Sequence, residues 1–235
     1  MMPTNHDTTD APAARTLSAE IKLHYDLHAP GDAATGAPLL VALHGYGSNK
    51  LWMMREARQF APAGFAVVAV QGPHQHIKEP KEPGGALRYG FGWLTNFRAE
   101  ESVALHHRAL LDLVKSLVEG RIADARRVFL FGFSQSCALN YRFAFTHADV
   151  LRGVVGVCGG LPGDWETSPH YSQTAAAVLH LAGTRDEFYG PDRVADYAAR
   201  LRLRSRDVEF KSYDAGHELA PAMRADIRAW LAARA

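Results

Sequence analysis

Several features that would point to a secreted, membrane-bound or nucleic-acid-binding protein are missing from this chain. Cysteine is nearly absent: Cys137 and Cys158 are the only two in 235 residues, and both fall in apolar segments with the pattern of buried elements. A structural disulfide is therefore not expected. No apolar run approaches the roughly 18 residues of a membrane-spanning helix. The opening stretch MMPTNHDTTDAPAARTL contains no apolar core of a signal peptide or anchor. An excess of charge of one sign is lacking too. Lys plus Arg total 26 against 25 Asp plus Glu, a formal net charge of +1, so neither nucleic acid nor an anionic membrane is implied as a partner. The default expectation is a cytoplasmic enzyme acting on a small molecule.

What is present has an order to it. Residues 1–16 read as a disordered tail, and 17–235 as one domain, long enough to bury about 70% of its unfolded surface. Ala19 to His28 (AEIKLHYDLH) alternates polar with apolar residues, as a half-exposed antiparallel edge strand does. From LLVALHG onward strands alternate with helices. The strands are Leu39–Leu43, Ala66–Val70, Val128–Phe131, Gly153–Val157, Val178–Leu181 and Val208–Tyr213. The helices are Leu51–Phe60, Glu100–Val118, Gln135–Phe145, Asp192–Leu203 and Pro221–Ala233. Unbroken Val- and Leu-rich strands alternating with helices predict an α/β fold with a mainly parallel central sheet and helices on both faces. No insertion is large enough for a cap domain. The one unusual connection, Gln71 to Asn96, carries three prolines, paired glycines and the aromatics Tyr89, Phe91 and Trp93. Connections of this length are usually functional, and these three aromatics are candidate substrate contacts.

The most informative segment is Val128 to Ser136, VFLFGFSQS. An apolar strand stops at Gly-x-Ser before a helical pattern, the arrangement of a nucleophile elbow, in which a sharp turn exposes the serine hydroxyl. Gly132 suits the turn. Ser136 stands where such elbows usually carry a second glycine, and it is small enough to be tolerated there. A nucleophilic Ser134 needs a base and a residue to orient it, following in the order acid, then histidine. Asp186 lies in the loop after the strand VLHLA, and His217 in the loop after VEFKSY. Glu187 and Asp214 are rival acids, and Asp214 reads better as a solvated turn residue. Among rival histidines, His44 reads as a partner for nearby backbone and His180 lies within a strand. His74 and His76 have no carboxylate or cysteine at ligand spacing, so no metal site is expected. Negative charge on a substrate carbonyl needs preorganised N–H donors. The glycine-rich Leu43–Ser48 supplies the Tyr46 amide, and the Gln135 amide opens a helix at its positive end. All these residues sit at the carboxyl ends of strands, where ligands bind in open α/β sheets.

LHGYGS at 43–48, GFSQS at 132–136, AGTRDEF at 182–188 and AGHE at 215–218 resemble the α/β-hydrolases, and within them the phospholipase/carboxylesterase group that includes acyl-protein thioesterases. The resemblance spans Leu39 to Leu231. It implies Ser134 as nucleophile, Asp186 as acid, His217 as base, Tyr46 and Gln135 as oxyanion donors, and no cofactor. It leaves a homodimer open. The expected activity is hydrolysis of carboxylic esters or thioesters through an acyl-enzyme, with short to medium acyl groups. The alternatives are amide or carbon–carbon bond hydrolysis on the same triad, or a non-catalytic binding protein of the same fold. Ser136 and the unmatched aromatic segment Tyr89–Phe97 are the two departures from the family pattern.

Overall fold

The computed structural model describes residues 15–30, 36–80 and 82–235. The expected tail lies almost wholly outside the described residues. Seven strands form one sheet in the order β1-β3-β2-β6-β7-β8-β9. They are β1 (Tyr25–His28), β2 (Ala37–Leu43), β3 (Ala66–Val70), β6 (Ala123–Phe133), β7 (Gly153–Val157), β8 (Ala177–Gly183) and β9 (Val208–Tyr213). Only β1 runs antiparallel, pairing at the edge with β3, and every other pairing in the sheet is parallel.

Because successive strand side chains point to opposite faces, the apolar runs feed two cores at once. Leu39, Val41 and Leu43 of β2 pack on one face with Leu110, Leu113 and Leu117 of α2 (Ala99–Glu119) and Leu139 and Phe143 of α3 (Gln135–Thr146). Leu40 and Ala42 pack on the other with Met53 and Phe60 of α1 (Lys50–Phe60) and Met223 and Ile227 of α6 (Pro221–Ala232). A sheet covered on both faces must be apolar at consecutive positions, which is why β3 and β7 are buried along their whole length. Among the described residues no helix is long and apolar enough to cross a membrane.

Three expectations need correction. The edge strand is shorter than its alternation suggests: residues before Tyr25 make no ladder, although the His24 carbonyl accepts from the Gln71 amide at 2.8 Å. The helix expected over Asp192–Leu203 is two pieces, α4 (Pro191–Val194) and α5 (Tyr197–Arg202). Val194 and Tyr197, on either side of the break, share one small buried cluster with Ala182. The Gln71–Asn96 connection contains a hairpin, β4 (His74–Lys78) and β5 (Arg88–Gly92); β4 is polar, β5 is interrupted by glycines, and the loop between them carries prolines, so neither reads as a strand.

Candidate active site

Ser134 stands between β6 and α3 with φ 58° and ψ −117°, a conformation that a residue with a Cβ adopts only when its surroundings enforce it. Those surroundings are specific. The Ser134 amide donates to the Val157 carbonyl at 2.9 Å, and the Ser134 carbonyl accepts from the Cys137 amide at 3.1 Å. A Cβ on Gly132 would lie 2.6 Å from Asn140 Nδ2, and one on Gly159 only 2.3 Å from Cys137 Sγ and 2.5 Å from the Ser134 carbonyl oxygen. Glycine at these two places lets α3 double back tightly against the sheet.

Asp186 and His217 come to Ser134 from the ends of β8 and β9, beyond the intervening β7. Asp186 follows β8, and its Oδ1 accepts the amides of Phe188 at 2.8 Å and Tyr189 at 2.9 Å. Its Oδ2 accepts from His217 Nδ1 at 2.9 Å. An ionised carboxylate can only accept, so Nδ1 carries the hydrogen, and Nε2 presents a lone pair to the Ser134 hydroxyl at 3.0 Å. Burial opposes ionisation of Asp186, but the His217 ring and the two amides outweigh it and hold the carboxyl below its ordinary value. The rival Asp214 is exposed and pairs with Arg185 at 2.7 Å. Cys158 Sγ lies 3.5 Å from the Glu218 carbonyl, next to the histidine.

The glycine-rich segment after β2 abuts Ser134: a Cβ on Gly45 would lie 3.1 Å from Ser134 Cβ. His44 holds the segment from inside. Its Nδ1 donates to the Gly45 carbonyl at 2.7 Å, and its Nε2 accepts from the Gly72 amide at 3.0 Å. The second bond requires a neutral ring, since a protonated Nε2 cannot accept, and burial lowers the pKa to about 4. The Gly47 amide donates to the Phe91 carbonyl and the Phe91 amide to the Ser48 carbonyl, tying the segment to β5. The Gln135 side chain accepts from the Trp93 amide at 2.9 Å. Among the described residues the amides of Tyr46 and Gln135 have no partner, and Gln135 heads α3, where the helix dipole favours an anion.

The three aromatics expected to contact substrate separate. Tyr89 is exposed on the hairpin and Phe91 is half-buried. Trp93 is a core residue, 2% exposed, and its Nε1 donates to the His44 carbonyl at 2.8 Å. It therefore supports the glycine-rich segment from behind. Trp93→Phe, which removes that donor, should cost about 1–3 kcal/mol in urea unfolding. The aromatics that do approach His217 are Phe188, Phe133 and Tyr189, with ring centroids at 4.8, 5.0 and 6.1 Å. Sequence reading missed them. The nearest signal was the position of Phe188 and Tyr189 just after Asp186, but facing rings are set by the tertiary fold. Cys158, Asp186 and His217 bring ligand-type atoms within 4.8 Å of one another. The Asp186–His217 hydrogen bond already engages two of the three, so the grouping is a hydrogen-bonded relay with a neighbouring thiol.

Comparison with known proteins agrees with this architecture. Residues 28–234 match the model of the phospholipase/carboxylesterase family. Among solved structures, a carboxylesterase from Bacillus cereus superposes with a TM-score of 0.70 at 17% identity, covering 91% of this chain and 95% of that one. A carboxylesterase from Mesorhizobium loti gives 0.69 at 20% identity, with 92% and 98% coverage. The acyl-protein thioesterase 2 of Zea mays gives 0.66 at 20% identity, with 90% and 98%. At these identities the superpositions speak for the fold, an α/β-hydrolase sheet without a large cap, and the family match extends over most of the chain. The chain belongs to the phospholipase/carboxylesterase family of α/β-hydrolases.

Proposed function

We propose that the protein hydrolyses carboxylic esters or thioesters through an acyl-enzyme formed on Ser134. The observation that carries this reading is the unbroken hydrogen-bond relay from the Ser134 hydroxyl through His217 to Asp186, at 3.0 and 2.9 Å. As Ser134 Oγ attacks the acyl carbon, Nε2 takes its proton, and Asp186 stabilises the imidazolium. The carbonyl oxygen, now an oxyanion, rests on the amides of Tyr46 and Gln135. Collapse breaks the bond to the alcohol or thiol, which leaves with the proton from Nε2. Water then attacks the acyl-enzyme, gives its proton to His217, and frees the acid and the serine. Phe133, Phe188 and Tyr189 around the histidine make one wall apolar, which suits a short to medium acyl chain.

Hydrolysis of p-nitrophenyl esters from acetate to long acyl chains tests the reading. Turnover should peak at short to medium chains, and a fluorophosphonate probe should label wild-type protein. Folded protein that neither turns over any ester nor takes the probe would overturn the hydrolase assignment in favour of a binding role.

A further inference from the structure

The serine that replaces the second elbow glycine makes bonds that a glycine cannot. Ser136 is fully buried, and its Oγ accepts from the Phe133 amide at 3.0 Å. The hydroxyl hydrogen has two acceptors in reach, the Leu43 carbonyl at 3.0 Å and the Phe133 carbonyl at 3.0 Å. Leu43 and Gly132 are the last register pair between β2 and β6. Beyond it the strands part: one chain goes on to His44–Gly45–Tyr46, the other to Phe133–Ser134. The Ser136 hydroxyl sits at that fork and bonds to both branches.

We infer that Ser136 is a positioning residue whose hydroxyl, acting as a side-chain rung between the ends of β2 and β6, sets the separation between Ser134 and the Tyr46 amide. This rests on the oxyanion role proposed for that amide. One branch of the fork leads from Phe133 directly to the nucleophile; the other leads from Leu43, through the segment held by His44, to the Tyr46 donor. A donor stabilises an oxyanion only at about 2.7–3.1 Å from where the charge develops. A change of a few tenths of an ångström at the fork therefore acts on the transition state and leaves ground-state binding of the ester almost untouched. Removing the hydroxyl also deprives the part-buried Phe133 amide of this partner, which favours a shift of the strand end.

The test compares Ser136→Gly and Ser136→Ala with wild type on p-nitrophenyl acetate, with rates normalised to active sites titrated by fluorophosphonate. Both variants should lose about tenfold in kcat with KM within about twofold of wild type. Affinity for a trifluoromethyl ketone, which forms an oxyanion adduct on the serine, should fall by the same factor as kcat/KM. A purely structural role would instead lower the titratable fraction and leave kcat per titrated site unchanged. A wild-type kcat per site in Ser136→Gly overturns the inference even if Ser136→Ala is poorly folded. So does the absence of titratable sites in both variants, since the hydroxyl would then be needed only for folding. Failure of wild type to label would count against the hydrolase reading itself, a separate outcome.

Discussion

Asp186→Asn should lower kcat by about 10⁴-fold while leaving the fold and the Ser134 hydroxyl in place. The expectation follows from how the carboxylate is held. Oδ1 accepts two amides, at 2.8 and 2.9 Å, so an asparagine must keep its oxygen there. Its NH2 then falls at the Oδ2 position and points at His217 Nδ1. Two donors cannot face each other, so the imidazole takes the other tautomer, with the hydrogen on Nε2. That ring has no lone pair for the serine proton. Ser134→Ala removes the proposed nucleophile and should cost about 10⁶-fold, with loss of fluorophosphonate labelling. The two variants answer different questions: alanine tests which atom attacks, asparagine which tautomer is needed. If Asp186→Asn stayed within tenfold of the wild-type kcat on p-nitrophenyl acetate, the assigned orienting role would be wrong. If Ser134→Ala still took the probe, the attacking residue would have to be sought elsewhere.

Parts of this geometry were legible in the sequence because local chemistry fixes them. The strands covered on both faces read as unbroken apolar runs, and Ala66–Val70, Gly153–Val157 and Val208–Tyr213 have the boundaries their patterns predict. Ser134, Asp186 and His217 announced themselves by residue type at strand ends, and the fold brings them within hydrogen-bond reach of one another. What the sequence concealed depends on contacts made across the chain. Trp93 looked like a substrate contact because it shares a segment with Tyr89 and Phe91. Its burial follows from packing beneath the His44 carbonyl, 49 positions away in the chain. The β4–β5 hairpin was missed because HQHIK is polar and its partner RYGFG is broken by glycines, so neither strand shows an apolar alternation. Ser136 read as a tolerated substitution of glycine, because nothing local says that the Leu43 carbonyl lies opposite its hydroxyl.

Acid should unfold the protein cooperatively between about pH 6 and pH 4, because its core is built on neutral histidines. His44, His180 and His106 are at most 2% exposed, and burial is the leading cause that depresses their pKa values to about 4, 4 and 3. The hydrogen bonds show why a second proton is unwelcome. His44 Nε2 is the acceptor for the Gly72 amide, so protonation turns an attraction into an opposition of donors. His180 lies stacked against Phe210, with centroids 5.5 Å apart, and only one of its nitrogens has a partner among the described residues, Tyr141 Oη at 2.8 Å. His106 bonds through Nε2 to Asn140 Oδ1 at 3.3 Å, while its Nδ1 is buried without a partner among those residues. In the unfolded chain these rings titrate near about 6.5. Their folded values are depressed, so the stabilisation is complete above about pH 6.5 and is lost as the pH falls to and through about 4. The three depressions, largest at His106, together correspond to on the order of 10 kcal/mol, comparable with the whole stability of a domain. Burial also lowers the pKa of His107 to about 4, so urea melts followed by tryptophan fluorescence at steps from pH 7.5 to 4.5 should show unfolding free energy falling ever more steeply, with a limiting slope near four protons. His180→Phe, which keeps an aromatic ring beside Phe210, should reduce that slope by about one. A stability unchanged down to pH 4.5 would mean that the buried rings accept protons in the folded state, which the hydrogen bonds of His44 and His106 argue against.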